Sequence, residues 1–378
     1  MNLGQYYTPV KTGNSLVERL DISDPSRVCD IGAGLGDLLC AANQRWMGAK
    51  LLAADIDPLN VAHARSRFPA GDCHQVDALR HDLPRLLGVE EESMDVAVGN
   101  PPYGALRANA SHLSIMRDAG LADAVSPKRL TRDIVFLAQN LRLLKPGGEL
   151  AVILPEGLAV NHIYADLRAA LLERHGLWRT LELPAFLFKG TEAKTVALFL
   201  RKGVASHSVL LESSDGASVR VDAENARSRL DAQFHLQSMS TGLTLADLNP
   251  DIKRGALSHA ESRELGVPIF HTTDFKRFPN GRANLSKTPS MAERWIVAPG
   301  DILIPRVGSR CLDHAVMVTK GKAVFTDCVY RIRVATEWRE HLLRTLRSEQ
   351  GVKFRLAVSH GTCAASLSKS DLLNLPIG

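Results

Sequence analysis

Along the first half of the chain the apolar positions come in short unbroken runs rather than in alternation. Val28-Cys29-Asp30-Ile31, Leu51-Leu52-Ala53-Ala54, Met94-Asp95-Val96-Ala97-Val98 and Leu150-Ala151-Val152-Ile153-Leu154 read as strands with hardly any polar face. Cys73-His74-Gln75-Val76, a stretch near Leu181 and Thr195-Val196-Ala197-Leu198-Phe199-Leu200 complete the set. Between them, helices are expected at about 37–46, 132–144 and 163–174. Pro58 suits the first turn of another helix, where its missing N–H is harmless, and Asp57 before it can cap that turn. Strands buried on both sides and alternating with helices predict an α/β domain: a mixed, mainly parallel sheet covered on both faces.

After Arg201 the rhythm loosens. Ser, Asp and Gly interrupt residues 206–222, which read as a link. Farther on, Asp301-Ile302-Leu303-Ile304 and Val329-Tyr330-Arg331-Ile332-Arg333-Val334 look like strands, with glycines at 300, 308 and 321 marking turns and a helix expected at about 340–349. The pattern divides the chain into a first domain over 1–204, a connecting region over 205–249 and a smaller mixed α/β domain over 250–378.

Composition narrows the class. With 45% hydrophobic and 23% charged residues, the chain can bury a core, which excludes a wholly disordered protein. No apolar run approaches roughly 20 residues, so a membrane span is not expected, and the first residues lack the basic and apolar parts of a secretory signal. Six cysteines with no close pair suggest neither a disulfide framework nor a zinc site, and a cytoplasmic protein is expected. Charge is divided unevenly: residues 1–200 carry 21 Lys/Arg and 23 Asp/Glu, residues 201–378 carry 25 and 18. The basic second part could face a polyanion.

The chemistry-bearing residues stand at strand ends. Asp30-Ile31-Gly32-Ala33-Gly34-Leu35-Gly36 lies between a strand and a helix, where glycines allow a tight turn and close approach of a ligand. Such turns also serve nicotinamide and flavin dinucleotides. Asp30, placed to hold an ammonium group, and Asp55, ending the second strand where an acid binds ribose hydroxyls, favour S-adenosylmethionine. Asp77, after the third strand, can accept from an exocyclic adenine amine; as a bare loop acid it would be solvated. Asn100-Pro101-Pro102-Tyr103 is the sharpest motif. The prolines fix the loop, so the Asn100 and Pro101 carbonyls can accept from a planar –NH₂ group. Holding both its hydrogens directs the nitrogen lone pair at a sulfonium methyl, which is catalysis by orientation and fixed dipoles. Tyr103 could stack on an extruded base.

Taken in order, Gly4-Gln5-Tyr6-Tyr7-Thr8-Pro9, Asp30 to Gly36, Asp55, Asp77 and Asn100 to Tyr103 resemble the DNA adenine-N6 methyltransferases of the γ arrangement, found in type I and type II restriction–modification systems. The resemblance implies a Rossmann-like catalytic domain in which Tyr7, Thr8 and Pro9 close over the methionine part of S-adenosylmethionine. Asp30, Gly32, Gly34, Asp55, Ile56, Asp77 and Asn100 would bind the rest. It also implies an aromatic against the flipped adenine, for which Phe188 is the best match and Phe186 the reserve; a core residue beside a strand would look the same. More loosely, residues 299–309, Gly361-Thr362 and Leu375-Pro376-Ile377 resemble a type I specificity-subunit target-recognition domain, though the chain has room for one such domain and no spacer helix.

The expected partner is double-stranded DNA, together with a separately encoded restriction endonuclease acting on the same site. Among Lys253, Arg254, Lys276, Arg277, Arg282, Lys287, Arg306 and Arg310, most would touch phosphates and one or two arginines could read guanine. Arg277, Arg282, Arg306 and Arg310 are singled out. No metal is expected, because methyl transfer needs none and no histidine cluster has ligand spacing. A Gly-x-x-x-x-Gly-Lys-Ser/Thr loop is absent from the sequence. A monomer suffices, and a dimer stays open. Two other readings also stay open: another planar amine as acceptor (an RNA base, cytosine N4 or a protein glutamine), and a catalytically silent DNA-binding specificity subunit.

Overall fold

The computed structural model describes residues 8–184, 187–188, 194–238, 242–258, 261, 264, 269–285, 295–308, 311–359 and 365–377. It separates into two compact units, Met1–Ala232 and Gln233–Gly378.

Among the described residues, the first unit is built on nine strands: β1 (Arg27–Asp30), β2 (Lys50–Asp55), β3 (Asp72–Gln75), β4 (Met94–Gly99), β5 (Leu144–Pro155), β6 (Arg179–Glu182), β7 (Thr195–Arg201), β8 (Ser208–Glu212) and β9 (Ser218–Asp222). Their order across the sheet is β3-β2-β1-β4-β5-β7-β6-β8-β9. Pairing is parallel from β3 through to β5, and β7 runs antiparallel between β5 and β6. Helices alternate with the strands: α1 (Val10–Glu18), α2 (Asp37–Arg45), α3 (Pro58–Arg67), α4 (Leu83–Leu87), α5 (Ala110–Asp118), α6 (Arg132–Leu143), α7 (Glu156–Val160) and α8 (Ala165–His175).

The unbroken apolar runs have a direct cause. In β5, Leu150, Val152 and Leu154 face a core shared with Ile115, Ile134 and Leu171 of α5, α6 and α8. Ala151 and Ile153, pointing the other way, face a second core shared with Leu16, Leu39 and Ala64 of α1, α2 and α3. Successive side chains alternate between faces, so a sheet covered on both sides requires apolar residues at every position.

The topology fixes the crevice. From β1 the chain steps outward to β2 and β3, then returns to lay β4 on the opposite side of β1. At such a reversal the connections leave the two carboxyl ends in opposite directions and open a cleft between them. Asp30 ends β1 and Asn100 follows β4, so both stand at its mouth.

One stretch departs from the expected boundaries. Residues 208–222, expected within the connecting region, form the antiparallel pair β8–β9 at the edge of the first sheet, and the division between units falls after Ala232. Their alternating burial is that of an edge hairpin with one wet face, and Gly216, at φ +91°, makes its turn.

The second unit holds β10 (Asp251–Arg254), β11 (Ile269–Phe270), β12 (Arg282–Asn284), β13 (Ile296–Val297), β14 (Ile302–Pro305), β15 (Val316–Lys320), β16 (Ala323–Phe325) and β17 (Val329–Arg333). Five of them form a sheet in the order β10-β17-β14-β15-β12 and three a smaller one, β11-β16-β13. Helices over Arg339–Arg347 and Glu349–Val358 pack Leu342, Leu346 and Phe354 with Ile302, Ile304 and Ile332. The helix expected at about 340–349 therefore exists and is followed directly by a second one. Among the described residues, no helix is long and apolar enough to cross a membrane.

Candidate active site

The glycine turn after β1 is held from both sides by carboxylates. Asp30 is 1% exposed and accepts from the Gly32 N–H at 3.0 Å. Asp55, at the end of β2 and 7% exposed, accepts from the Gly34 N–H at 2.8 Å and the Asp57 N–H at 2.9 Å. Asp77 accepts from the Leu79 N–H at 2.9 Å. Asp57 caps α3 through the Leu59 N–H, as its place before Pro58 suggested. Burial pushes the Asp30 carboxyl up to about 7; the Gly32 N–H opposes that rise and the nearby Asp55 charge adds to it.

Two glycines show why no side chain serves there. A Cβ on Gly32 would lie 3.2 Å from Cε1 of Phe136, in α6. Gly36 has φ +79°, and a Cβ on it would lie 2.8 Å from the Phe68 ring. The turn leaves a cavity of about 260 Å³, lined by Ile31, Gly32, Asp55, Ile56, Asp77 and Phe136 among others, with Asn100 and Pro102 in its wall. A small recess of about 30 Å³ is lined by Thr8, Asp30, Asp37 and Leu38 and shares Gly32, Gly34 and Asn100 with the larger space. Ile56 is 50% exposed at the cavity rim, where an apolar side chain can cover a flat ring.

Asn100 stands where these spaces meet. Its Nδ2 donates to Thr8 Oγ1 at 3.2 Å, and its Oδ1 accepts from the Tyr103 hydroxyl at 2.7 Å. Pro101 is buried; Pro102 and Tyr103 are half-buried. The donor and acceptor set suits S-adenosylmethionine. A buried acid beside the recess can face an ammonium, Asp55 can face a diol, and the Ile56–Phe136 region can face a purine. Thr8, Asp30, Gly32, Gly34, Asp55, Ile56, Asp77 and Asn100 thus come together. Pro9 precedes α1 and does not line either space. Tyr7 and Phe186 lie outside the described residues.

Phe188 is placed elsewhere. It is 2% exposed and packs with Leu181, Leu183 and Phe199 in the core on the α1–α2 side, outside the lining of both spaces. Sequence reasoning missed Phe136 and Arg132, which line the cavity. Both sit on a helix whose apolar spacing reads as ordinary packing, and only the glycine at 32 hints that something large lies opposite.

In the second unit the singled-out arginines have partners of their own. Arg282 makes a bidentate pair with Glu340 at 2.7 and 2.6 Å, and Arg277 reaches Asp274 at 3.0 Å. Arg306 Nε donates to the Asp327 carbonyl at 2.6 Å, and Arg254 lies 3.7 Å from the Asp327 carboxylate. Lys253 lies 3.8 Å from Asp251. Arg310, Lys287 and Gly361-Thr362 lie outside the described residues. Among the described residues, no group of three or more His, Cys, Asp or Glu is placed to hold a metal ion.

Residues 59–240 match the model of the N-6 DNA methylase family. That stretch contains Asn100 to Tyr103, Asp77 and Phe188, whereas Asp30 and Asp55 precede it. The chain is similar to the type II methyltransferase M.BsuBI of Bacillus subtilis, 23% identical over 244 residues that cover 58% of this chain and 48% of that protein. It is also similar to the ribosomal RNA large subunit methyltransferase F of Pseudomonas putida strain W619, 32% identical over 135 residues covering 34% and 42% of the two chains. The chain thus spans less than half the length of either relative. Among solved structures, the type IIG restriction endonuclease BpuSI shares the fold. Its TM-score is 0.55 at 13% identity, and the alignment covers 98% of this chain and 58% of that one.

Proposed function

We propose that the first unit transfers a methyl group from S-adenosylmethionine to the N6 amine of adenine in double-stranded DNA, and that the second unit contributes target recognition. The observation that carries this is Asn100. Its carboxamide follows β4 at the switch point of the sheet, in a wall shared by the two spaces that Asp30 and Asp55 line. The N-6 DNA methylase match over residues 59–240 and the type II methyltransferase relative point the same way.

When bound, S-adenosylmethionine supplies an electrophilic methyl on a sulfonium. Asp30 would hold its ammonium, Asp55 its ribose hydroxyls and Asp77 its adenine amine, with Ile56 and Phe136 around the purine and Thr8 near the methionine end. Asn100 Oδ1 and the Pro101 carbonyl would accept the two hydrogens of the target amine, localising the nitrogen lone pair. With the lone pair so directed, transfer would form the nitrogen–methyl bond as the donor's carbon–sulfur bond breaks, and one amine proton would leave to solvent. The base must first leave the helix to reach Asn100. Tyr103 would stack on it, and Phe188 would do so only after leaving the core that buries it. Of the arginines, Arg306 is favoured for DNA contact, with Arg282 available where a phosphate replaces the exposed Glu340 carboxylate and Arg277 as a further candidate. We further propose that the enzyme is the modification partner of a restriction endonuclease acting on the same site.

An RNA amine is the second reading, favoured by the similarity to the ribosomal RNA methyltransferase. One experiment separates the two. The purified chain is incubated with labelled S-adenosylmethionine and either duplex DNA or RNA, and the products are digested to nucleosides for mass spectrometry, with Asn100→Ala alongside. Labelled N6-methyladenine in DNA, lost in the variant, is the expected result. Label confined to RNA would replace the substrate class, and no transfer to either would overturn the reading.

A further inference from the structure

A side-chain amide can present either its oxygen or its nitrogen, and only the oxygen can accept from a substrate amine. Two hydroxyls bear on that choice here. Thr8, 92 positions away in sequence and 6% exposed, accepts from Asn100 Nδ2 at 3.2 Å. Tyr103 donates to Oδ1 at 2.7 Å. They are not equivalent. Oδ1 has two lone pairs and can accept from an arriving amine beside the Tyr103 hydroxyl, but a Tyr103 ring that turns to stack on the base carries its hydroxyl away. Thr8 lies on the other side of the amide, in the wall of the recess beside Asp30, where no target base needs to enter.

We infer that Thr8 is a positioning residue for catalysis: its hydroxyl oxygen holds Asn100 Nδ2 and thereby keeps Oδ1 turned toward the acceptor amine while the base is bound. This rests on the proposed amine-methylation reading and adds a role beyond contact with the methyl donor. The hydroxyl has one hydrogen and two lone pairs. It can therefore donate to the donor's carboxylate while accepting from Asn100, which links the donor end of the site to the catalytic amide. Without the hydroxyl, Nδ2 loses this acceptor and the orientation that presents Oδ1 is held less firmly, so a larger share of the bound complexes would present –NH₂ to an –NH₂.

The test compares Thr8→Val, which keeps the shape and removes the hydroxyl, with Thr8→Ser, which keeps the hydroxyl. At saturating donor and acceptor, Thr8→Val should lower kcat about tenfold or more, as expected for lost orientation of a reacting group. The donor Kd, measured by calorimetry, should rise by no more than about tenfold, the size expected for losing one hydrogen bond. Thr8→Ser should recover most of kcat. An activity-independent readout is the Asn100 side-chain –NH₂ signal in asparagine-labelled protein, assigned by its loss in Asn100→Asp. It should shift in Thr8→Val and return in Thr8→Ser. An unmoved amide signal would overturn the inference, whether or not the chain methylates DNA. So would a kcat within twofold of the native value, a loss confined to donor Kd, or a Thr8→Ser variant as poor as Thr8→Val. A native protein that transfers no methyl sinks the proposed function separately, and the amide signal still decides the role of Thr8.

Discussion

The first unit holds the three acids of its site with backbone N–H groups, and the second pairs Arg277 and Arg282 with the carboxylates of other side chains. Asp30, Asp55 and Asp77 each accept from main-chain N–H groups of the turns they belong to or face. Arg282 is tied to the exposed Glu340, and Arg277 to the half-buried Asp274, which also accepts from the His271 N–H. A backbone N–H cannot rotate away, so the acids are fixed before any ligand arrives. An exposed carboxylate is worth little as a partner and is screened by salt, so a phosphate can take its place. Fixed acids suit a ligand of one shape; exchangeable cations suit a polymer read at many positions.

The comparison can be broken most forcefully at Phe188. If its packing with Leu181, Leu183 and Phe199 is its main role, Phe188→Ala should cost about 3–5 kcal/mol of stability and lower the melting temperature of the free protein. An unchanged melting temperature with weaker DNA binding would instead give Phe188 to the base. Next in size, Asn100→Ala should reduce methyl transfer by about 10²–10³-fold, the usual loss for one preorganised polar group. Donor binding, followed by calorimetry, should survive. If donor binding vanished as well, Asn100 would belong to the fixed acid-and-turn assembly rather than to the acceptor side.

Asp30 sharpens the contrast through pH. Its folded value near 7 lies above the ordinary 3.8, chiefly because of burial. Between those two values the folded chain holds the proton more tightly than the unfolded one. From this group alone, stability therefore falls as pH rises from about 4 to 7, and the full penalty is present above 7. Asp30→Asn keeps an acceptor for Gly32 and removes the charge. The variant should gain stability relative to the native chain between pH 5 and pH 8, while binding the methyl donor more weakly. Parallel melting curves of the two proteins at both pH values check this, and a constant difference would refute it. The smallest effect is expected at Arg306: Arg306→Ala should reduce the slope of log K against log salt for DNA binding by about one. A slope unchanged there but reduced in Arg282→Ala would reverse the assignment.

How much of this could be read from sequence depends on the distance over which each feature is decided. The strands from Val28 to Leu200 were legible because two covered faces leave no room for polar residues. The glycine turn and Asn100 were legible because each motif is contiguous. The β8–β9 pair was not, although Ser208–Glu212 and Ser218–Asp222 alternate, because intervening Ser, Asp and Gly look the same in a linker as in a hairpin turn. Phe188 was ambiguous in principle: an aromatic beside a strand can fill a core or meet a base. Phe136 against Gly32 and Thr8 against Asn100 are pairings across more than 90 positions, and nothing local announces them.

The raised Asp30 carboxyl has a consequence for heat as well as for stability. With its carboxyl raised to about 7 by burial, Asp30 carries a proton in a share of the ligand-free molecules at neutral pH. A ligand bearing an ammonium beside it favours the ionised form, so capture of the ligand expels that proton into the buffer. The enthalpy of binding would then depend on the buffer's own heat of ionisation near neutral pH, and that dependence would fade about two units higher. Each ligand-bound molecule therefore exports a fraction of a proton, and two buffers of different ionisation heat are enough to count it.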